Sequence, residues 1–439
     1  MASTTPQKPF NIAIIGGGIS GLALAIGLLQ HDIPLTIYEA AHSFGEIGAG
    51  VALGPNAALA MQLLSPKIYA AFEKCKTANT EGKSKSWFTV RVGDARKADK
   101  DGNVEGDKKV GDALYDIEFG NDRGRGGVYR AHFLDELVKH IPEGVAKFGK
   151  KLSDMEVAED GSGDVIVRFA DGTQARHNAV IGCDGIKSAS RAWMFGKNDP
   201  VTKPVFSGKY AYRGLIPMDQ AVETLGDEVA RNSQMFFGYG GHLLTFPIEK
   251  GRTMNGDMSV VAFNSCKEWK NENWVVTTTK EEMNAEYAAW GPHVQKIIHA
   301  MQKPDIWALF YHLPCSTYYK GRVCLLGDAA HATTPHQGAG AGMCLEDALI
   351  MSALLKEVKG VEDFERAFKA FDEVRRPRSQ KNVVTSTQAG MLYDFEGEGT
   401  GDDLEKIEPE FKDRMKWIWN VDLEGEIEKA KGIYQTAKI

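Results

Sequence analysis

The chain has 439 residues, 43% hydrophobic and 25% charged, with a formal net charge of −7. That length suits two or three domains with a sizeable core, and the acidic balance speaks against nucleic acid or an anionic membrane as partner. The opening MASTTPQKPF is polar and no later run approaches a membrane span, so a cytoplasmic protein is expected.

Ile12 to Ile15 form a short apolar run that reads as a strand buried on both faces and ends in three glycines. Gly16, Gly18 and Gly21 have the G-x-G-x-x-G spacing of a tight turn whose backbone can approach a pyrophosphate at a helix N-terminus. A second apolar run, Leu35 to Tyr38, ends in Glu39, whose carboxylate is placed to accept hydrogen bonds from a ribose. Residues 10–40 therefore read as a dinucleotide-binding βαβ unit, with NAD and FAD both open at this point.

Gly45, Gly48 and Gly50 form a close-approach loop, and Pro55 opens a helix with Ala57, Ala60, Met61 and Leu64 on its apolar face. Residues 84–119 alternate in strand fashion around KADKDGNVEGDKK, which reads as a solvated, mobile loop. From Asp122 a glycine-rich turn leads into a helix near Ala131; Arg130 at the junction suits a phosphate, a ribose or a surface salt bridge equally. A β-hairpin is expected from Val165 to Phe169, the turn Asp171-Gly172 and a strand from Ala179 to Cys183, which runs into Asp184-Gly185.

Residues 204–263 alternate with aromatics and predict a broad antiparallel sheet, one face of it a pocket wall. Helices are expected near 281–290 and 293–301, then a strand over 322–326. A helix over 340–356 and another over 364–390, broken at Arg376-Pro377, come next, before an acidic helical end holding Trp417 and Trp419. The helices after about Gly390 suit either a cap on a pocket or a dimer contact. Six scattered cysteines without a C-x-x-C pair read as buried free thiols. The terminal Ala437-Lys438-Ile439 departs in its last residue from a Ser-Lys-Leu peroxisomal tail.

Three motifs stand in order: the Gly16 fingerprint, DGIKSASR from Asp184 to Arg191, and GDAAHATTPHQGAGAGMCLED from Gly327 to Asp347. From Phe10 to about Pro377 the chain resembles the single-component FAD-dependent aromatic hydroxylases, the group A flavoprotein monooxygenases, and within them the fungal salicylate-hydroxylase-like branch. The resemblance implies an α/β fold, a Rossmann-type FAD-binding domain like that of p-hydroxybenzoate hydroxylase with an antiparallel-sheet substrate domain and C-terminal helices. It implies an FAD domain of residues 1–80, 121–195 and 306–375, a substrate domain of 81–120 and 196–305, and a helical segment of 376–439.

In the family the residue matching Asp328 holds the ribityl chain of FAD, that matching Glu39 the adenosine ribose, and that matching Arg130 also touches FAD. Backbone at Ala52 and Ala341 is implied to lie against the flavin. Asp184, Ser188 and Arg191 suit a structural cap and ion pair as well as a nucleotide contact. Pro335 to Gly342 leads into a helix whose positive end would face the flavin ring. No second dinucleotide fingerprint occurs, so NADH or NADPH is expected to bind transiently.

The implied reaction is hydroxylation of a small phenolic substrate through a flavin hydroperoxide, with NAD(P)H and O2 consumed, by a monomer or homodimer. In dearomatising relatives an aromatic-Arg-Gly arginine and a Tyr before Pro hold the phenolate. Arg213 matches the first, but Phe246 stands at the second without a hydroxyl. A salicylate-like substrate with its carboxylate or phenolate on Arg213 is therefore favoured over a larger polyketide or alkaloid phenol of secondary metabolism. His242, His336 and Pro335 are the remaining pocket candidates, each histidine equally suited to a structural role.

Overall fold

The computed structural model describes residues 8–45, 50–120, 126–248, 256–303 and 305–437. Gly48, Asp122 and the end of the C-terminal tail, Lys438 and Ile439, lie outside them. Two sheets organise the chain. The first has six strands, with Ile12–Ile15 at its centre between Ala179–Gly182 and Leu35–Tyr38, parallel to both; only the edge strand Tyr319–Lys320 pairs antiparallel. Every residue of Ile12–Ile15 and of Ala179–Gly182 is buried, in one core shared with the helix Ile19–Leu29 and with the three-stranded sheet of 152–157, 165–169 and 174–177, whose Phe169 ring meets Tyr38 at 4.6 Å. The helix Ile19–Leu29, with ten of its eleven residues buried, packs between this sheet and the helix Gly340–Glu357.

Ala179–Gly182 corrects the expected hairpin. Val165–Phe169 turns back through Gly172, at φ 83°, into Gln174–His177, and Ala179–Gly182 departs to pair with Ile12–Ile15 and Val323–Leu325. Four consecutive buried residues suit a strand covered on both faces better than a hairpin edge with one wet side.

The second sheet has eight strands in the order 275–277, 305–311, 205–217, 257–265, 241–248, 234–238, 86–92 and 113–118. All pairings are antiparallel except that of Gln234–Gly238 with Ser86–Val92. Strand 305–311 hydrogen-bonds here, so the expected boundary at 305/306 falls at its first residues. Alternation along the strands makes two faces. The outer one, with Tyr212, Ile216, Met258, Val260 and Phe236, is covered by the helices Met218–Leu225, Lys280–Glu286 and Pro292–Ala300. The inner one, with Ala211, Phe263, Leu244, Met235 and Val90, meets the C-terminal helices through Tyr393, Ile407, Phe411 and Trp419.

Two local expectations are corrected here. The charged insert carries an ordered ribbon, Asn103–Glu105 against Lys108–Lys109, turning at Gly106 with φ 58°. The helix Phe364–Tyr393 runs unbroken for 30 residues through Pro377. The lost hydrogen bond is tolerated because Arg375 and Arg378, on either side of the proline, are anchored to Glu346 and Asp347 of the neighbouring helix.

Candidate active site

The glycines of the first motif divide by what a side chain would meet. A Cβ on Gly16, already at φ 104°, would lie 2.4 Å from the Cys183 carbonyl oxygen, and one on Gly21 would lie 2.0 Å from the Gly16 oxygen. A Cβ on Gly18 would meet nothing within 4 Å. Gly16 and Gly21 are thus required by backbone packing, whereas a side chain at Gly18 would meet no protein atom. The helix after it has no side-chain cap, so its first N–H groups are free to meet an anion there. Glu39 accepts hydrogen bonds from Gly17 N at 2.7 Å and Ala41 N at 2.8 Å, so its carboxylate also holds the turn in shape.

The second motif braces the third. Asp184 accepts from Ser188 Oγ at 2.6 Å and Ser190 N at 2.9 Å, and burial raises its pKa. Arg191, fully buried, donates to the carbonyls of Ala329 at 3.1 Å, Ala330 at 2.8 Å and Val201 at 2.6 Å. Below the same segment, Asp347 accepts from Gly327 N at 3.1 Å and pairs with His331 Nε2 at 2.5 Å and Arg375 Nε at 2.9 Å. Burial opposes the charges of Asp347 and Glu346, but His331 and Arg375 on one and Arg378 and Arg375 on the other outweigh it and hold both pKa values down. This clamp presents Asp328 exposed beside the fully buried Leu326 and Ala329.

The loop Pro335–Gly338 leads into Gly340–Glu357, an 18-residue helix whose first turn has no side-chain cap. Ala341 is half-buried in that turn, and Ala52, on the strand Gly50–Leu53, sits with its Cβ near Gly338. Ala52, Gly338, Ala339, Trp87, Phe246 and Trp419 line a cavity of about 50 Å³. The C-terminal segment is therefore a cap: Trp419 packs on Trp87 at 5.2 Å and on Phe119 at 4.7 Å between ring centroids. Arg130 is half-buried at the start of the helix Arg130–Val138.

On the inner sheet face, Arg213, Val261, Leu244, Met235 and Val90 form one row across five strands. Ala211, Phe263, His242, Phe237 and Val92 form the adjoining row further from the Gly50–Leu53 strand; Phe246 lies on the other side, packed against Gly50. Arg213 Nε is enclosed without a hydrogen-bond partner, and its guanidinium lies 5.1 Å from the Trp307 ring centroid. Burial, with help from the Arg130 charge, lowers its pKa to about 10. His242 is fully buried; its Nδ1 lies 2.5 Å from Asp394 Oδ1 and its Nε2 3.3 Å from His336 Nδ1.

Of the predicted pocket residues, Phe246 lines the cavity beside Trp87 and Trp419, His336 lines a second one with Lys209 and Glu396, and Arg213, His242 and Pro335 line neither; Gly16, Gly18, Gly21, Glu39, Asp184 and Asp328 gather around the strand ends of the parallel sheet. Asp394, Lys209, Arg375 and Trp419 were not foreseen as site residues. Their partners are distant in sequence, 185 positions for Lys209 and Asp394, and no local spacing announces them.

Open space at Gly18, two helix N-termini without side-chain caps and an exposed carboxylate between buried neighbours suit a dinucleotide with an extended polar chain. A family model described as an FAD binding domain matches residues 258–386. The chain is 41% identical over 429 residues to 6-methylsalicylate 1-monooxygenase atA of Aspergillus terreus, covering 97% of this chain and 92% of that one. It is 36% identical over 446 residues to a salicylate hydroxylase of Pseudomonas putida, covering 98% and 96%. A solved structure titled salicylate hydroxylase substrate complex superposes with a TM-score of 0.83 at 33% identity, over 96% of this chain and 98% of that one. The protein belongs to the FAD-dependent monooxygenases of the salicylate-hydroxylase-like family. Among the described residues no helix is long and apolar enough to cross a membrane.

Proposed function

We propose that this monooxygenase hydroxylates a small phenol bearing a carboxylate, of the salicylate type. The observation that carries the reading is Arg213: a half-buried arginine on the inner sheet face, its Nε enclosed without a hydrogen-bond partner, and without an ion-pair partner among the described residues. A partly desolvated cation held beside a second one, Arg130, is costly until an anion arrives, and a planar carboxylate or phenolate matches its fork. The similarity to enzymes named for salicylate and 6-methylsalicylate supports the same substrate class.

Gly16, Gly18, Gly21, Glu39, Ala52, Arg130, Asp184, Asp328 and Ala341 are the residues proposed to hold FAD. Reduced by NAD(P)H, bound FAD supplies the activation of O2 and the transfer of one oxygen atom to the ring. The protein does the rest: Arg213 binds and orients the anion, and Trp87, Phe246 and Trp419 exclude water around the ring. We assign residues up to about 80, 121–195 and 312–375 to FAD binding, and the eight-stranded sheet with its outer helices to the substrate. Titration of the flavin absorption of the FAD-loaded enzyme tests the reading. Salicylate should perturb the spectrum at least tenfold more tightly than phenol, which lacks the carboxylate; equal affinities refute it.

A further inference from the structure

Two polar side-chain atoms border the cavity beside the flavin loop and are left unused by the protein. Asn56 and Trp419 both line it, 2% and 3% exposed. A Cβ on Gly54 would lie 3.1 Å from Asn56 Oδ1 and 3.0 Å from Trp419 Nε1, so the two atoms face one small space. Asn56 makes its side-chain hydrogen bond through Nδ2, and among the described residues no hydrogen bond reaches Asn56 Oδ1 or Trp419 Nε1.

One buried ion pair aims both groups. Asn56 Nδ2 donates to Glu346 Oε1 at 2.7 Å, and Arg378 donates to Glu346 Oε2 at 2.8 Å and Oε1 at 2.9 Å. Burial opposes the Glu346 charge, but Arg378 and Arg375 outweigh it and keep the carboxylate an acceptor. Only the NH2 end of the Asn56 amide can face an acceptor, so Oδ1 is turned toward Gly54 and the cavity. The same guanidinium donates to the carbonyls of Trp417 and Ile418, each at 2.9 Å, and so fixes the backbone that carries Trp419. On its other side Asn56 packs on Gly342, where a Cβ would lie 2.9 Å from Nδ2. Gly342 also lines the cavity, in the first turn of Gly340–Glu357, whose N–H groups have no side-chain cap. A backbone donor, a carbonyl acceptor and an indole donor thus follow one another along the cavity wall.

That order is the complement of an imide edge, which presents a carbonyl, an N–H and a second carbonyl. A salicylate-type anion does not match it, since its carboxylate would meet the lone pairs of Asn56. The pyrimidine edge of a flavin does, through C(2)=O, N(3)–H and C(4)=O. We propose that Asn56 and Trp419 hold the pyrimidine edge of the flavin: Asn56 Oδ1 accepts from N(3)–H, and Trp419 Nε1–H donates to C(4)=O, with C(2)=O left to the helix N-terminus. The inference rests on the placement of the ring against Ala52 and Ala341 proposed above. It gives the C-terminal segment a part in the cofactor site itself, beyond closing the cavity. Glycine at position 54 suits the same arrangement, because a methyl group there would stand between the two atoms that read the edge.

The test reloads FAD-depleted enzyme with FAD or with 3-methyl-FAD, in which a methyl group replaces the N(3) proton, and reads dissociation constants from flavin fluorescence. Wild type should hold 3-methyl-FAD at least about tenfold more weakly than FAD, the effect of one buried acceptor left unmet. In Asn56→Ala the two flavins should bind within about twofold of each other. Trp419→Phe, which keeps a ring against Trp87 and Phe119, should weaken FAD at least about threefold and move the 13C resonance of FAD labelled at C(4) upfield. Equal wild-type affinities for the two flavins, or a C(4) resonance unmoved in Trp419→Phe, would overturn the proposal. The wild-type comparison involves no substitution, so it stands even where a variant fails to fold. Binding that is indifferent to the N(3) methyl group but weakened by Gly18→Ala overturns this proposal alone; binding indifferent to both overturns the placement of the cofactor with it.

Discussion

Replacing Arg213 with Met should make the enzyme more stable and less able to hold its substrate. The Arg213 pKa is lowered to about 10, by burial first and by the Arg130 charge second. Relative to the ordinary guanidinium value near ~12.5, and at about 1.36 kcal/mol per pH unit, that depression amounts to roughly 3 kcal/mol against the charged form. Because the residue as a whole keeps partial exposure although Nε is enclosed, screening reduces this to about 1–2 kcal/mol. The sign follows from the lowered value: below pH 10 the folded protein carries the whole cost of the charge, and removing the charge removes the cost. Met keeps most of the volume over Trp307, so little cavity penalty offsets the gain.

For the same substitution, salicylate should bind about 30- to 150-fold more weakly, the loss of a charge-assisted bidentate contact worth roughly 2–3 kcal/mol. Urea unfolding and salicylate titration of the FAD-loaded variant measure the two effects together. A variant that is less stable than wild type, or that binds salicylate equally well, refutes the argument that Arg213 awaits an anion.

Gly18→Ala should leave folding stability unchanged and weaken FAD binding at least tenfold, since its Cβ meets no protein atom. Gly21→Ala, whose Cβ would lie 2.0 Å from the Gly16 oxygen, should instead destabilise the fold by about 1–3 kcal/mol whether or not FAD is bound; flavin titration and urea melts separate the two. Pro377→Ala should raise stability by about 1–2 kcal/mol by restoring a hydrogen bond inside the Phe364–Tyr393 helix, and a lower melting temperature would show that the turn depends on the proline. Burial lowers His177 to about 4 and His312 to about 3, so both stay neutral in the fold and protonate on unfolding. Their share of stability is complete above pH ~6.5 and is lost as pH falls toward 4; His177→Gln should remove about 2 kcal/mol of the loss between pH 7.5 and 5, and an unchanged pH dependence of the urea-unfolding free energy would contradict this.

What was legible in the sequence was what the sequence encodes locally. Residues 12–39 announce strand, turn, helix and acid within one βαβ unit, and Gly16 and Gly21 in the turn proved to have steric reasons of their own. The inner and outer faces of the large sheet follow from alternation, whereas Arg213 was singled out only through the resemblance to dearomatising hydroxylases. Ala179–Gly182 was misassigned by nearness to the preceding turn, although its uniform burial belongs to a parallel strand. Pro377 was read as a break because the local rule knows nothing of Arg375 and Arg378 anchored across to Glu346. Asp394 and Lys209 were illegible for a related reason: their meaning lies in a contact with His242, 152 positions from Asp394, and neither sits in a recognisable spacing. Trp419 was noticed only as an aromatic in an acidic tail; the cavity it closes exists only in three dimensions.

The account is tested most directly by supplying the FAD-loaded enzyme with salicylate, NADH or NADPH, and 18O2, and weighing the product. It predicts substrate-stimulated NAD(P)H oxidation and a hydroxylated aromatic carrying one 18O atom, with or without loss of carbon dioxide. Slow oxidation, unaltered by salicylate or 6-methylsalicylate and yielding only peroxide, would contradict the assignment of Arg213 and its sheet to a small carboxylated phenol.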